Sequence, residues 1–431
     1  MAEFVEILDS IMGSNKTNGI LKWMDKNPDQ KYLYISPLLS EVDSNSRLQK
    51  DLKYITFEYP EVDIESGVEN KSDDLLLKLQ NNVNISATHS LYLSMTEEHL
   101  NEIERRGYIV VIDEELGVIE SFDKYSVDDL KYLISKKDIE ISSEDGTITW
   151  IGDDLGVNNK YRYFQILCNS KSVYATKRKD TMMVTQLPIR LLTCAKRVII
   201  MTYMFKGNIL DCFLKLKRVK TKRFTEVETT VVKKEDIIKL ITLIPPTTEV
   251  SKVGMSASKY GKQGSNECKV VADYIRNVCR QHGATTIDVM YTFPKVLVKS
   301  DRKNGKQIRP KSFIEYKLPV LGEDGVQLTD NKGKPVTTTH PCWIHASCRA
   351  TNKYSFKWCL IHCYDRYPNA IVETYLQDYD CMPERNVFAV SEICQWVWRS
   401  RIRNSEPIVL AIGSKRMYNL FLNWLNKEEL D

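Results

Sequence analysis

Short apolar runs alternate with amphipathic stretches along nearly the whole chain. Four runs in the first half read as strands: "KYLYISPLLSEV", "NVNISATHSLY", "GYIVVIDEELG" and "AKRVIIMTYMF". The third is the strongest, a β-branched apolar run that ends in acids. Helical spacing lies between them, as in "SMTEEHLNEIERRG", with Ser94 or Thr96 as cap and Gly107 as stop. Strands that are apolar through their middles and alternate with helices predict a parallel sheet covered on both faces.

The stretch "LIPPTTEVSKVGMSASKYGKQGS" interrupts this pattern with Pro, Gly, Ser and Thr, and predicts a linker over 244–265. A second alternation follows: helix "NECKVVADYIRNVCRQHG", strands "TIDVMYTFPK", "PCWIHAS" and "WCLIHCYDRY", helix "VSEICQWVWRSRIR", strand "PIVLAIGS" and helix "RMYNLFLNWLNKEEL". Turn signals in 295–341 ("KNGK", "EDGV", "NKGKP") predict one or two β-hairpins inserted there. The expected organisation is an α/β domain over 1–243, the linker, and a second α/β domain over 266–431.

Composition supports globular domains with cores of ordinary size: of 431 residues, 42% are apolar and 27% charged. No apolar run reaches the ~18 residues a membrane span needs, and the start "MAEFVEILDS" has no secretory pattern. A cytoplasmic protein without a membrane partner is therefore expected. The eleven cysteines lack paired metal spacing and read as reduced and mostly buried, with a zinc site as the lesser reading. Net charge is only +4, but "KLKRVKTKR" (215–223) and "KVLVKSDRKNGKQIRPK" (295–311) concentrate basic residues. Each is either a solvated face or part of a polyanion-facing surface.

Candidate chemistry changes the picture more. In "IMGSNKT", Gly13, Ser14, Asn15, Lys16 and Thr17 approximate a phosphate-binding loop between a short apolar run and a helix. Such a loop needs backbone N–H groups in a tight turn, a lysine for phosphates and a hydroxyl for Mg²⁺. Asn15 stands where a glycine is usual, and Asn is the residue that best tolerates the left-handed conformation after glycine. The run "YIVVIDEELG" ends in Asp113 and Glu114, the order in which a nucleoside triphosphatase holds Mg²⁺ and orients the attacking water. A Gly-Ser turn or an acid-ended strand alone is commonplace. The two in order, on the expected elements, indicate an ATP site. In "QWVWRSRIR", Gln395, Arg399 and Arg403 recur every four residues, which predicts one shared helix face.

With these three elements the chain resembles a superfamily 2 helicase of the DEAD/DEAH-related group, built from two RecA-like domains. "MGSNKT", "YISPLLSEVDS", "SATHSL", "IDEEL", "IIMTYMF", "DVMYTFPK", "HASCRATNKY" and "QWVWRSRIR" follow that family's motif order over residues 10–420. The general character is similar to helicase-like ATPases of bacteriophages and prophages. The departures are Asn15, the Asp-Glu-Glu-Leu box, the missing Ser-Ala-Thr, Trp398 in place of a glycine, and a displaced second arginine.

The resemblance implies an α/β fold of two RecA-like domains with parallel sheets and an ATP site in the cleft between them. It implies ATP and Mg²⁺ as cofactors: Lys16 and Thr17 on phosphate and metal, Asp113 on the metal, Glu114 on water. Gln395, Arg399 and Arg403 would reach the γ-phosphate, with Arg401 as another candidate finger. Thr88, His89, Thr202, Arg349, Thr351 and Asn352 are the candidate nucleic-acid residues, with DNA ahead of RNA. The expected activity is an ATP-dependent helicase or translocase in phage DNA replication or recombination, acting as a monomer with replication-protein partners. Two alternatives stay open: a terminase-type packaging ATPase, or a helicase-like clamp without turnover.

Overall fold

The computed structural model describes residues 2–44, 46–62, 70–262, 264–298, 306–322, 326–330, 332–348 and 352–426. The chain divides into two compact units, Met1–Thr230 with Pro368–Phe388, and Val231–Tyr367 with Ala389–Leu430.

In the first unit the strands are β1 (Val5–Asp9), β2 (Tyr32–Ser36), β3 (Ile85–Thr88), β4 (Ile109–Asp113), β5 (Ile119–Phe122), β6 (Ile139–Ile141), β7 (Ile148–Trp150), β8 (Val173–Thr176), β9 (Lys179–Gln186), β10 (Arg197–Thr202) and β11 (Thr221–Arg223). Six of them form a parallel sheet in the order β11-β1-β10-β4-β2-β3. Side chains alternate across its two faces, and both faces are buried. Val5, Ile7, Leu33, Ile35, Val110, Ile112, Val198 and Ile200 share one core with helices Lys71–Gln80, Glu97–Arg106 and Ile209–Leu216. Leu8, Tyr34, Val111, Ile199 and Met201 share the other with Ile20, Leu21, Trp23 and Met24 of helix Lys16–Asp25. This two-sided burial is why the strands read as continuous apolar runs.

Local signals behave as their chemistry dictates. Thr96 caps helix Glu97–Arg106, and Gly107 ends it at φ 69°. The basic run 215–223 closes helix Ile209–Leu216 and forms the exposed edge strand β11. Lysines on an edge strand deter pairing with another chain.

A second small body lies between β4 and β10 that the hydropathy pattern did not predict. Strands β5, β9 and β8 pair antiparallel, as do β6 and β7. They enclose their own core of Phe122, Tyr125, Leu130, Phe164 and Met183. Helix Ala370–Gln377 returns to this body: Tyr375 meets Tyr174 edge-on at 6.1 Å, and the Lys177 amide donates to Asp378 at 2.8 Å.

The second unit contains β12 (Ile241–Ile244), β13 (Val289–Thr292), β14 (Glu315–Pro319), β15 (Thr337–Pro341), β16 (Cys359–His362) and β17 (Ile408–Ile412). Its sheet is parallel in the order β12-β17-β16-β13, flanked by helices Ser265–Gln281 and Lys415–Leu425. Strands β14 and β15 form an antiparallel hairpin within 295–341. "PCWIHAS" does not continue as a strand of the parallel sheet; Trp343 makes only an isolated bridge to Tyr291. The stretch 244–265 is not a free linker either. Its apolar residues Val250, Val253, Met255 and Tyr260 are buried in the second unit's core, which outweighs its Gly and Ser content.

Candidate active site

In open parallel α/β sheets, ligands bind beyond the carboxyl ends of the strands. The register of the first sheet assembles one such edge. Asp9 pairs with Thr202, Met201 with Asp113, and Ser36 with Thr88, so β1, β10, β4, β2 and β3 end together. Strand β10 separates β1 from β4 and carries Thr202 between the two candidate motifs.

The loop after β1 turns through Gly13 at φ 84° and Asn15 at φ 64°. Asn15 is the N-cap of helix Lys16–Asp25 and is left-handed, with no side-chain cap bond. It therefore adopts the backbone shape a glycine would supply, and that shape leaves the first-turn amides to the helix's positive end. The Ser14 carbonyl accepts from the Thr230 amide at 2.9 Å, while the buried Ser14 hydroxyl has no hydrogen-bond partner among the described residues. Gly19, in the interior of that helix, has a packing reason. A Cβ there would lie 2.4 Å from Val227 Cγ1 and 3.1 Å from the Glu228 carbonyl.

Lys16 folds back over its own loop. Its Nζ donates to the carbonyls of Ser10 at 2.5 Å and Thr202 at 2.8 Å, tying the loop to β10. Burial pulls its pKa down to about 8, against the attraction of Asp113, Asp9, Glu114 and Glu115. Thr17 follows in the helix's first turn.

At the end of β4, the Tyr34 hydroxyl donates to Asp113 Oδ2 at 3.0 Å. Burial raises the Asp113 pKa to about 6, with Glu114 adding to the shift and the Tyr34 bond and Lys16 opposing it. Glu114 sits at φ 64°. A non-glycine residue there is strained by roughly 1–2 kcal/mol, a conformation that recurs where function fixes the backbone. Glu115 accepts from the Thr202 hydroxyl and from Asn208 Nδ2. Asp9 accepts from the amides of Met204 and Phe205 at 2.8 and 2.9 Å, fixing the chain after β10.

Thus Gly13, Ser14, Asn15, Lys16, Thr17, Asp113, Glu114 and Thr202 converge on one edge of the first unit. Thr202 was expected on the nucleic-acid track, but it is only 4% exposed. Burial and its bond to Glu115 make it part of the carboxylate cluster instead. The Thr88 hydroxyl caps helix His89–Leu93 by accepting from the Leu91 amide at 3.3 Å. His89 Nε2 donates to the Asp113 carbonyl at 2.9 Å, so that nitrogen braces the end of β4. Asn352 is exposed, and Arg349 and Thr351 lie outside the described residues.

The expected shared face for Gln395, Arg399 and Arg403 does not form. The helix spans Arg385–Val397 and ends there. Its last turn tightens, with the Arg399 and Ser400 amides bonding to Trp396 and Val397, and the Ser400 hydroxyl donating to the Val397 carbonyl at 2.7 Å. The Arg401 amide then bonds to the Lys357 carbonyl, which turns the chain aside. Gln395 remains on the helix and donates to Ser391 Oγ at 3.0 Å. Arg399 is buried in the following turn, and Arg403 is exposed in the 3₁₀ turn Arg401–Asn404.

Four contributors were not singled out as site residues from the sequence: Asp9, Tyr34, Glu115 and Asn208, although Tyr34 and Glu115 stand within the quoted stretches "YISPLLSEVDS" and "IDEEL". Asp9 and Glu115 carried a signal, as acids at strand ends beside the motifs. Tyr34 and Asn208 reach the site only through the sheet order, which no local pattern encodes. All eleven cysteines are free. Among the described residues no helix is long and apolar enough to cross a membrane.

The two parallel sheets define an α/β protein of the RecA-like kind. A solved XPD helicase structure has a similar fold, with a TM-score of 0.52 at 12% identity over 99% of this chain and 96% of that one. S. tokodaii Xpd4 compares at a TM-score of 0.46 and 11% identity, over 99% of this chain and 95% of that one. More particularly, residues 235–425 match the model of the YonV C-terminal Rossmann-like domain. The full chain is similar to the SPbeta prophage-derived uncharacterized protein YonV of Bacillus subtilis (strain 168). The two are 26% identical over 438 residues, covering 99% of this chain and 100% of that protein.

Proposed function

We propose that this protein is an ATP-dependent helicase or translocase acting on nucleic acid, DNA ahead of RNA, in phage DNA replication or recombination. One observation carries the reading. A half-buried lysine at the end of a left-handed Gly13-to-Asn15 turn is set among Asp9, Asp113, Glu114 and Glu115 at the carboxyl edge of a parallel sheet.

The residues fit ATP with Mg²⁺. Among the described residues, the buried Ser14 hydroxyl has no hydrogen-bond partner, and the Lys16 ammonium has only backbone carbonyls as hydrogen-bond acceptors. Phosphate oxygens are stronger acceptors for a cation than neutral carbonyls. Mg²⁺ keeps several waters and takes only one or two protein oxygens, so Thr17 and Asp113 suffice as its protein ligands. When bound, Mg²⁺ neutralises charge on the phosphates. Lys16 would grip the phosphates, Tyr34 would orient Asp113, and Glu114 would hold and polarise the attacking water. Glu115 links this edge through Thr202 and Asn208 to the segment after β10, a physical route from the nucleotide to the rest of the unit.

The test is phosphate release from ATP by the purified full chain, alone and with single- or double-stranded DNA or RNA. Hydrolysis stimulated by one nucleic acid, and reduced ~10²-fold or more in Lys16→Ala and Glu114→Gln, is the expected result. Nucleic-acid binding without hydrolysis in any condition would instead leave the clamp reading.

A further inference from the structure

The second unit carries a basic cavity that the motif reading did not assign. It has a volume of about 540 Å³ and opens at the carboxyl ends of β12, β17 and β16. That volume is within the usual range for small-ligand sites. Three separate segments build it. The chain after β12 supplies Lys252, Lys259 and Lys262; the turn after β17 supplies Ser414, Lys415 and Arg416; the turn after β16 supplies Asp365 and Tyr367.

The floor is tightly held. The Gly413 amide donates to the His362 carbonyl and the Asp365 amide to the Met255 carbonyl, each at 2.9 Å. The buried Tyr260 hydroxyl donates to the Cys363 carbonyl at 2.9 Å. Gly413 has no room for a side chain: a Cβ would lie 2.8 Å from Met255 Cε and 3.1 Å from Cys363 Sγ. The cavity is therefore a product of packed core segments, not a gap between loose loops.

Its charge is lopsided. Arg416 is matched by Asp365 at 2.7 Å. The Glu267 carboxylate accepts from the Gly264 amide at 3.0 Å as part of a helix cap. Lys252, Lys259, Lys262 and Lys415 are exposed and have no ion pair among the described residues. Ser414 caps the eleven-residue helix Lys415–Leu425, whose positive end opens here. Tyr367 lies under the Arg416 guanidinium at 4.1 Å, giving the wall a flat aromatic surface. The turn Gly413-Ser414-Lys415 joins a parallel strand to a helix much as Gly13-Ser14-Asn15-Lys16 does in the first unit. Isolated surface lysines would repel one another without purpose. Four that converge from two segments on a built cavity, beside a helix start and an aromatic wall, call for a polyanion of nucleotide size.

We propose that this cavity binds the phosphate groups of a nucleotide, either free or at the end of a nucleic-acid strand, at a site separate from the loop around Lys16. The lysines and the helix end hold the phosphates, and Tyr367 lies against the base. The site stands whether or not the first unit hydrolyses ATP.

The test uses the full chain carrying Lys16→Ala, which disables the first-unit loop. ADP is titrated calorimetrically without added metal. A fluorescent oligothymidine of twelve nucleotides, with and without a terminal phosphate at either end, is titrated by anisotropy. Expected is one-to-one binding of at least one phosphorylated probe, weakened tenfold or more by Lys259→Glu with Lys415→Glu and kept by Lys259→Arg with Lys415→Arg. Binding of ADP identifies a free nucleotide; binding only of a phosphorylated oligonucleotide identifies a strand end. Both lysines are exposed, so the charge reversals keep the fold, which thermal melts verify. The proposal is overturned if neither phosphorylated probe binds, if the two pairs of variants bind alike, or if the oligonucleotide ignores its terminal phosphate while ADP does not bind.

Discussion

Replacing Asp113 with Asn is expected to stabilise the protein and, on the function proposed above, to abolish ATP hydrolysis. In the fold, burial first and then Glu114 raise the Asp113 pKa to about 6 from an ordinary 3.8. The sign follows from proton linkage. Below about pH 3.8 the carboxyl is protonated in both folded and unfolded chains, and folding carries no penalty. As pH rises from there through about 6, the unfolded chain ionises first, and stability is lost. At about 1.36 kcal/mol per pKa unit, the penalty reaches about 3 kcal/mol at pH 7.5 and about half that at pH 5. Asparagine keeps the shape and an acceptor for the Tyr34 hydroxyl but has no charge to bury. The attraction of the half-buried Lys16 ammonium and the Tyr34 bond oppose the shift and are already contained in that pKa. The net gain is therefore bounded at about 3 kcal/mol, or roughly 6–12 °C in the melting of a unit this size. The assay is thermal unfolding of both proteins at pH 7.5 and pH 5, without nucleotide or metal. A higher melting temperature for Asp113→Asn at pH 7.5 that shrinks at pH 5 is expected. A variant less stable than the parent at pH 7.5, or a gain independent of pH, would refute the argument that this carboxylate is held ionised against its surroundings.

Two further substitutions probe the loop and its helix. Gly19→Ala should reverse the usual ~0.5–1 kcal/mol benefit of alanine in a helix; with 2.4 Å to Val227, overpacking is expected to destabilise by ~1–3 kcal/mol in a denaturant melt, and a stabilised variant would show that Val227 moves freely. Asn15→Gly should leave stability within ~0.5 kcal/mol and retain hydrolysis, whereas Asn15→Val, forced to φ 64°, should lose ~1–2 kcal/mol and slow phosphate release; equal behaviour of the two would mean that the left-handed turn is not required.

Much of the first unit's site was legible because its signals are local. Lys16 and Thr17 stand at a helix start, Asp113 and Glu114 at the end of an apolar strand, and those positions follow from hydropathy and turn chemistry alone. Asn15 was legible too, since its tolerance for the left-handed region predicts the observed φ. What escaped depends on long-range order. Glu115 finds Thr202 and Asn208 only because β10 is inserted between β1 and β4. The small body between β4 and β10 has short antiparallel strands of three to eight residues, too brief to give a clear period of two.

The misreadings have a common cause in the competition between composition and packing. The stretch 244–265 has the Gly, Ser and Pro of a linker, yet four spaced apolar residues anchor it in a core. Gln395, Arg399 and Arg403 have helical spacing, yet the helix stops two residues before Arg399 because Ser400 and Lys357 offer its last groups other partners. In both places the period along the sequence was real, and a tertiary contact decided against it. The same reasoning makes the basic cavity of the second unit visible only in three dimensions. Lys252, Lys259 and Lys262 lie in the misread linker, and Lys415 is more than 150 residues away, so no window on the sequence contains the cluster. The burial of Val250, Val253, Met255 and Tyr260 is what brings those lysines to the carboxyl edge of the sheet. The packing that removes the linker from the picture is therefore the same packing that builds the cavity.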